Sequence, residues 1–211
     1  MIEWLDQNFP IDKNYLVCQN HKEQLNSFLM ERLVEPFHSG RKHNLWGEVA
    51  ERLPLIGKKL GWVPNKMPAI FLTETVENEI ADALAASENY LQSTHNHFKI
   101  ARNLLSRFNL LNLAQRNPLF LSEGETKIIW FLIQWVKKPT YLIIGYLPSS
   151  LSVQKVKDVF NFLNTERKTS NPYPVIILGY HPDRTDWCGE LFSLREWQVI
   201  PSLPQLRRTR I

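Results

Sequence analysis

Four short, unbroken apolar runs constrain this chain more than any other feature: Tyr15-Leu-Val-Cys18, Ala69-Ile-Phe-Leu72, Tyr141-Leu-Ile-Ile144 and Val175-Ile-Ile-Leu178. A strand with one wet face alternates apolar and polar residues. A strand buried on both faces, as in a parallel sheet covered by helices, is apolar throughout. Between the runs lie helical stretches at about 23–34, 76–92, 97–108, 123–138 and 153–165. Strands alternating with helices predict crossover units and a layered α/β fold with a mostly parallel central sheet. The stretch TKIIWFLIQWVK is apolar almost all round, so its helix is expected deep in the core, with Trp130 and Trp135 as core residues and Lys127, Lys137 and Lys138 at its ends. Pro139 ends it and delivers the chain directly into the run at 141.

At 211 residues the chain is ample for one core and marginal for two, which predicts a single domain over 1–211. The more polar stretch 85–118, with Ser, Asn, His and Gln among leucines, reads as a small helical subdomain beside the sheet. Residues 201–211 form a basic tail carrying Arg207, Arg208 and Arg210. With 25 Lys and Arg against 21 Asp and Glu, the net charge of +4 is mild and clusters only in that tail, so no nucleic-acid partner is expected. Two cysteines, Cys18 and Cys188, make neither a disulfide framework nor a four-cysteine zinc site. His95 and His97 are two apart and diverge on a helix, which argues against a metal site there. Ile128 to Val136 is too short to span a bilayer, and Glu3 and Asp6 interrupt any signal-peptide pattern at the start. These features place the chain among intracellular α/β domains.

Local signals then become specific. Thr75 followed by Glu77 and Glu79 reads as a helix start with acids near the positive end of the helix dipole. Ser122 and Glu125 in Leu121-Ser-Glu-Gly-Glu125 form a capping box before an apolar helix. That helix runs into YLIIGYLP, then SSLS at 149–152, another helix, and the strand VIILGYH ending at His181.

This order resembles the second half of an ABC-transporter ATP-binding domain: signature, Walker B, D-loop and switch histidine. The first half is similar too. NFPIDKNYLVCQN (8–20) is similar to the strand entering Walker A, and HSGRKHNLWGEV (38–49) to the segment before the Q-loop. GWVPNKMPAIFLTETVENEIADAL (61–84) resembles the family's stretch that follows. The wording around Thr75 to Ala81 is closest to the energy-coupling-factor and cobalt-type importers. The resemblance covers about residues 8–200 and implies a P-loop NTPase-like ABC ATPase fold with its N-terminal sheet truncated, Trp4 being a poor substitute for the adenine-stacking aromatic.

The resemblance also implies which positions should carry chemistry. A phosphate-binding loop needs glycines whose backbone N–H groups converge on phosphate, a Lys, and a hydroxyl for Mg²⁺. The matching stretch 18–26 has no glycine. Asn20 and Lys22 are reminders of the pattern, but Gln24 stands in place of the Lys and Leu25 in place of the hydroxyl. Glu23 adds a like charge, which at ~4 Å and an effective dielectric near ~20 repels by about 4 kcal/mol. Walker B needs an Asp for the metal and a Glu for water, and the matching positions are Gly145 and Tyr146. The Q-loop position is Asn65, and the D-loop is Ser149, Ser150 and Ser152, with Ser152 at the aspartate position. Ser122, Glu123, Gly124 and Glu125 keep the signature, which in the family caps the γ-phosphate held by a partner subunit. His181 keeps the switch-histidine position.

The expectation is therefore a pseudo-ATPase with no cofactor of its own, weak ATP binding staying open. It would act as an accessory or regulatory subunit of an ABC transporter, cytoplasmic and peripheral on the cytoplasmic face of the inner membrane. Its partners would be a competent ABC ATPase, a membrane permease, or a second copy of itself. Met67, Ile70, Phe71 and Leu72 are the residues expected to face a permease. Two alternatives stay open: a nucleotide-independent scaffold on the same fold, and a working enzyme with an unusual loop.

Overall fold

The computed structural model describes Gln7, Phe9, residues 14–18, 59–64, 71–145, Leu147, 150–169, 175–180 and 197–200. Five strands, β1 (Asn14–Cys18), β2 (Leu60–Val63), β3 (Tyr141–Ile144), β4 (Val175–Tyr180) and β5 (Trp197–Ile200), form one sheet in the order β2-β3-β4-β1-β5. All four pairings are parallel, which is what continuous apolar runs require. Leu142, Ile143 and Ile144 are buried, and four helices, α1 (Val76–Ser87), α2 (His95–Arg107), α3 (Glu123–Val136) and α4 (Val153–Thr169), are described between β2 and β4.

Two strand expectations change. The run at 69–72 is not a strand where it is described: Phe71 and Leu72 lie outside any strand, and the backbone N–H groups of Leu72 and Thr73 both donate to the Glu79 carboxylate. That turn leads into α1, with Phe71 packed edge-on against Trp130 and Leu72 left 89% exposed. The strand is instead β2, Leu-Gly-Trp-Val. Its glycine weakens strand propensity but is required here: a Cβ on Gly61 would lie 2.9 Å from both Leu142 Cδ1 and Pro139 Cγ. β2 is latched to α3 by Trp130 Nε1, which donates to the Trp62 carbonyl at 2.8 Å. β5, Trp-Gln-Val-Ile, lies outside the four apolar runs and extends the sheet beyond β1, with Leu16 opposite Val199.

The helix ends are set by side chains that tolerate left-handed backbone. The expected helix 76–92 stops at Ser87 because Asn89 adopts φ 63°, and Tyr90 N–H bonds back to Ala85 O at 2.8 Å. α2 ends the same way, with Asn109 at φ 54° and Leu110 N–H on Leu105 O at 2.9 Å. α3 runs to Val136, Lys138 turns at φ 49°, and Pro139 follows. α2 begins at His95 rather than 97, and α4 continues to Thr169 rather than 165.

Most of the buried apolar side chains among the described residues form one cluster. Ile128, Ile129 and Leu132 of α3 sit in it with Ile80 and Leu84 of α1, Leu105 of α2, Leu142 of β3, and Val159 and Leu163 of α4. Trp130 and Trp135 are only partly buried, packed against its edge. Lys127, expected at a helix end, is instead 1% exposed.

Candidate functional site

The strand order puts β3, β4 and β1 side by side and parallel, so their carboxyl ends lie at one edge of the sheet. Cys18 is level with Tyr180, and Ile144 with Ile177. The chain leaves β1 toward β2 and leaves β4 past β1 toward β5. Connections from two neighbouring strands thus run in opposite directions, which marks the crevice where ligands bind in open α/β sheets.

At the tip of β3 stands Gly145. It is buried, and its N–H donates to Val63 O at 2.7 Å, continuing the ladder between β2 and β3. At this point the tip of β3 therefore offers backbone and no side chain. Of the other positions singled out in the sequence, Asn20, Lys22, Gln24, Leu25, Asn65, Tyr146, Ser149 and His181 lie outside the described residues, as do Met67, Ile70 and the basic tail.

Residues 122–125, which the sequence matches to the signature, are described in full. Ser122 caps α3: its Oγ accepts from Glu125 N–H at 3.4 Å, while Glu125 Oε2 accepts from Ser122 N–H at 2.8 Å and from Ser122 Oγ at 2.7 Å. The bond from the Ser122 N–H, then that from its hydroxyl, hold the Glu125 carboxyl below the usual range, with smaller help from Arg116 and Lys155. Glu123 adds a second acid in the first turn. Gly124 has a packing reason of its own, since a Cβ there would lie 2.8 Å from the Ser150 carbonyl oxygen. The structure thus brings the signature turn and the Ser150–Ser152 segment into contact. Ser150 Oγ is buried without a hydrogen-bond partner among the described residues. Ser152, exposed, starts α4 by accepting from Lys155 N–H at 3.4 Å.

Ala is a better helix former than Gly, so on propensity alone Gly124→Ala should stabilise α3. The Ser150 carbonyl reverses the sign. We expect Gly124→Ala to lose about 1–3 kcal/mol, read as a fall in the urea midpoint.

The approach to α3 is braced from the helical side. Glu77, buried on α1, accepts from Arg102 Nε at 2.7 Å, from Arg102 Nη2 at 3.1 Å and from the Gln115 amide. The Arg102 bond, then the Gln115 bond against a desolvation cost, keeps its carboxyl ionised below the usual range. His97 is buried as a structural cap: its Nδ1 accepts from Thr94 N–H at 2.9 Å, and Nε2 faces Glu88 at 3.1 Å. Among the described residues no group of three His, Cys, Asp or Glu is placed to hold a metal, and no helix is long and apolar enough to cross a membrane.

Sequence reasoning missed two lysines, for want of any spacing signal. Lys127 looks like a polar helix end. Lys155 looks like a surface residue of α4, yet its Nζ donates to the carbonyl of Phe108 at 2.5 Å.

No family model matches the chain. The energy-coupling factor transporter ATP-binding protein EcfA of Pediococcus pentosaceus is 24% identical over 147 residues, 70% of this chain and 51% of that protein. The chain thus spans about half the length of the curated relative it matches. Among solved structures, cbiO1 from Clostridium perfringens, part of the ABC transporter complex cbiONQ, superposes with a TM-score of 0.56 at 13% identity. That match covers 90% of this chain and 74% of cbiO1. The dimeric ATP-binding cassette MJ0796, in a post-hydrolysis state with ADP and Pi, gives a TM-score of 0.62 at 12% identity over 85% of this chain and 80% of that one. The fold is the ABC ATPase fold, and the chain is a distant homologue of ABC-transporter ATP-binding domains.

Proposed function

We propose that this chain is a catalytically silent ABC-type subunit. In this reading it performs no nucleotide chemistry of its own, pairs head-to-tail with an ATP-competent ABC ATPase, and presents the amino end of α3 to the triphosphate that the partner holds. It works in the cytoplasm against a membrane permease, as an accessory subunit of a transporter. The observation that carries the reading is Gly145. In-line phosphoryl transfer is mostly positioning and charge neutralisation by Mg²⁺, and the tip of β3 has no side chain with which to hold that ion. The glycine-free stretch 18–26 supports it from the other side of the crevice.

The test uses the complex of this chain with its ATPase partner. Mutating the metal-holding acid of the partner is expected to abolish ATP turnover of the whole assembly, because no second competent site exists. Residual turnover at about half the original rate would show that this chain has a working site.

A second reading has its own supporting observation. Ser122 and Glu125 already satisfy one another, and Gly124 already serves the Ser150 contact. A scaffold that retained the turn for folding alone needs nothing more.

A further inference from the structure

The first backbone N–H groups of a helix have no partner within it. In α1 two of them hold another segment: Val76 N–H donates to Arg116 O at 3.1 Å, and Glu77 N–H to Ala114 O at 3.0 Å. Gln115, between those two carbonyls in sequence, donates its side-chain amide to the Glu77 carboxylate. Three consecutive residues are thus bound by one helix turn. Arg102 of α2 grips the same carboxylate through Nε at 2.7 Å and Nη2 at 3.1 Å. Glu77 is 5% exposed, whereas Arg102 and Gln115 are exposed, so the carboxylate is the fixed member of the set. Glu79, on the same turn, binds a different segment, through the N–H groups of Leu72 and Thr73.

The bound residues belong to a connector that is turned along its length. It contains two single-turn 3₁₀ helices, Leu111–Leu113 and Pro118–Phe120. Arg116 N–H bonds Leu113 O at 2.9 Å, Asn117 Oδ1 accepts from Leu119 N–H at 2.9 Å, and Leu121 N–H bonds Pro118 O at 3.3 Å. Ser122 follows at once. We propose that Glu77 is a positioning residue: it holds residues 114–116 against α1 and α2, and so fixes where the chain enters the turn at 122–125. The functional weight of this hold rests on the reading above, in which the turn must meet a partner's triphosphate with fixed geometry. The hold itself stands without that reading.

Hydrogen exchange of the full chain alone tests the hold at the amides that report it, those of Val76 and Glu77. Gln115→Ala should speed their exchange roughly tenfold, while the amides of Leu72 and Thr73, bound to Glu79, keep the wild-type rate. Gln115→Lys, which keeps a donor for the carboxylate, should restore protection. In a Glu77→Met background, where the Val76 amide is already released, Gln115→Ala should add nothing. Unchanged exchange at Val76 in Gln115→Ala, acceleration that spreads to Leu72 and Thr73, no rescue by Gln115→Lys, or additive effects of the two changes would each overturn the assignment. With the partner ATPase present, Gln115→Ala should lower kcat and leave the KM for ATP unchanged, since the partner's own residues hold the nucleotide. A released Val76 amide with unchanged kcat would leave the hold standing and count against the proposed function instead.

Discussion

Ser122→Arg in this chain is expected to cut the ATP turnover of an assembled, competent partner by roughly a hundredfold or more, while this chain stays folded. The reasoning is geometric. A γ-phosphate seated at a helix amino end is held by a capping hydroxyl and backbone N–H groups, all supplied here by residues 122–125. An arginine at 122 removes the hydroxyl and fills the approach. The chain itself loses only a cap, about 1 kcal/mol, because the first turn keeps its acids and the buried face of α3 is untouched. Ser122→Ala separates the two costs. It loses the same cap without the bulk, so its stability should match that of Ser122→Arg and its turnover should fall less. If both variants leave partner turnover at the wild-type level, the turn is a folding device and the scaffold reading holds.

The second large effect concerns Lys127. Burial pushes its pKa from 10.5 down to about 8, against an opposing pull from Glu123. The folded value lies below the unfolded one, so between these two values the unfolded chain holds the proton more tightly. Stability must then rise with pH across that window. Below about 8 the ammonium is charged in both states and the full cost of burying it is present. The displacement corresponds to about 3 kcal/mol. Lys127→Met keeps the stem and removes the charge. We expect it to raise the urea midpoint near pH 7 and to flatten the rise that wild type shows toward about pH 9.5. Taking the difference between the two proteins isolates this residue from Lys137, whose pKa burial also lowers. A wild type whose stability falls in parallel with the variant over that range would contradict this account of Lys127.

How much of this was legible in the sequence differs from element to element. β1, β3 and β4 were legible as continuous apolar runs, and α3 because its stripe closes round the helix. β2 was not, because its glycine lowers propensity locally while serving a contact with Pro139, which is distant in sequence. Phe71 and Leu72 misled for the complementary reason: apolar content alone does not show that Glu79 reaches back to bind the N–H groups of Leu72 and Thr73. The stops of α1 and α2 were written in Asn89 and Asn109, but asparagine marks a left-handed end only when the helix before it stops. That residue 145 is a glycine was readable directly. The burial of Lys127 and the reach of Lys155 to Phe108 were not, since both depend on which helix lies opposite.

A catalytically silent subunit must fail to handle nucleotide by itself. The most direct measurement is calorimetric titration of the full chain alone with ATP and Mg²⁺, followed by assay of the same sample for released phosphate. We expect no Mg²⁺-dependent saturable binding tighter than the millimolar range and no phosphate release. A one-to-one isotherm in the micromolar range with Mg²⁺-dependent turnover would contradict it.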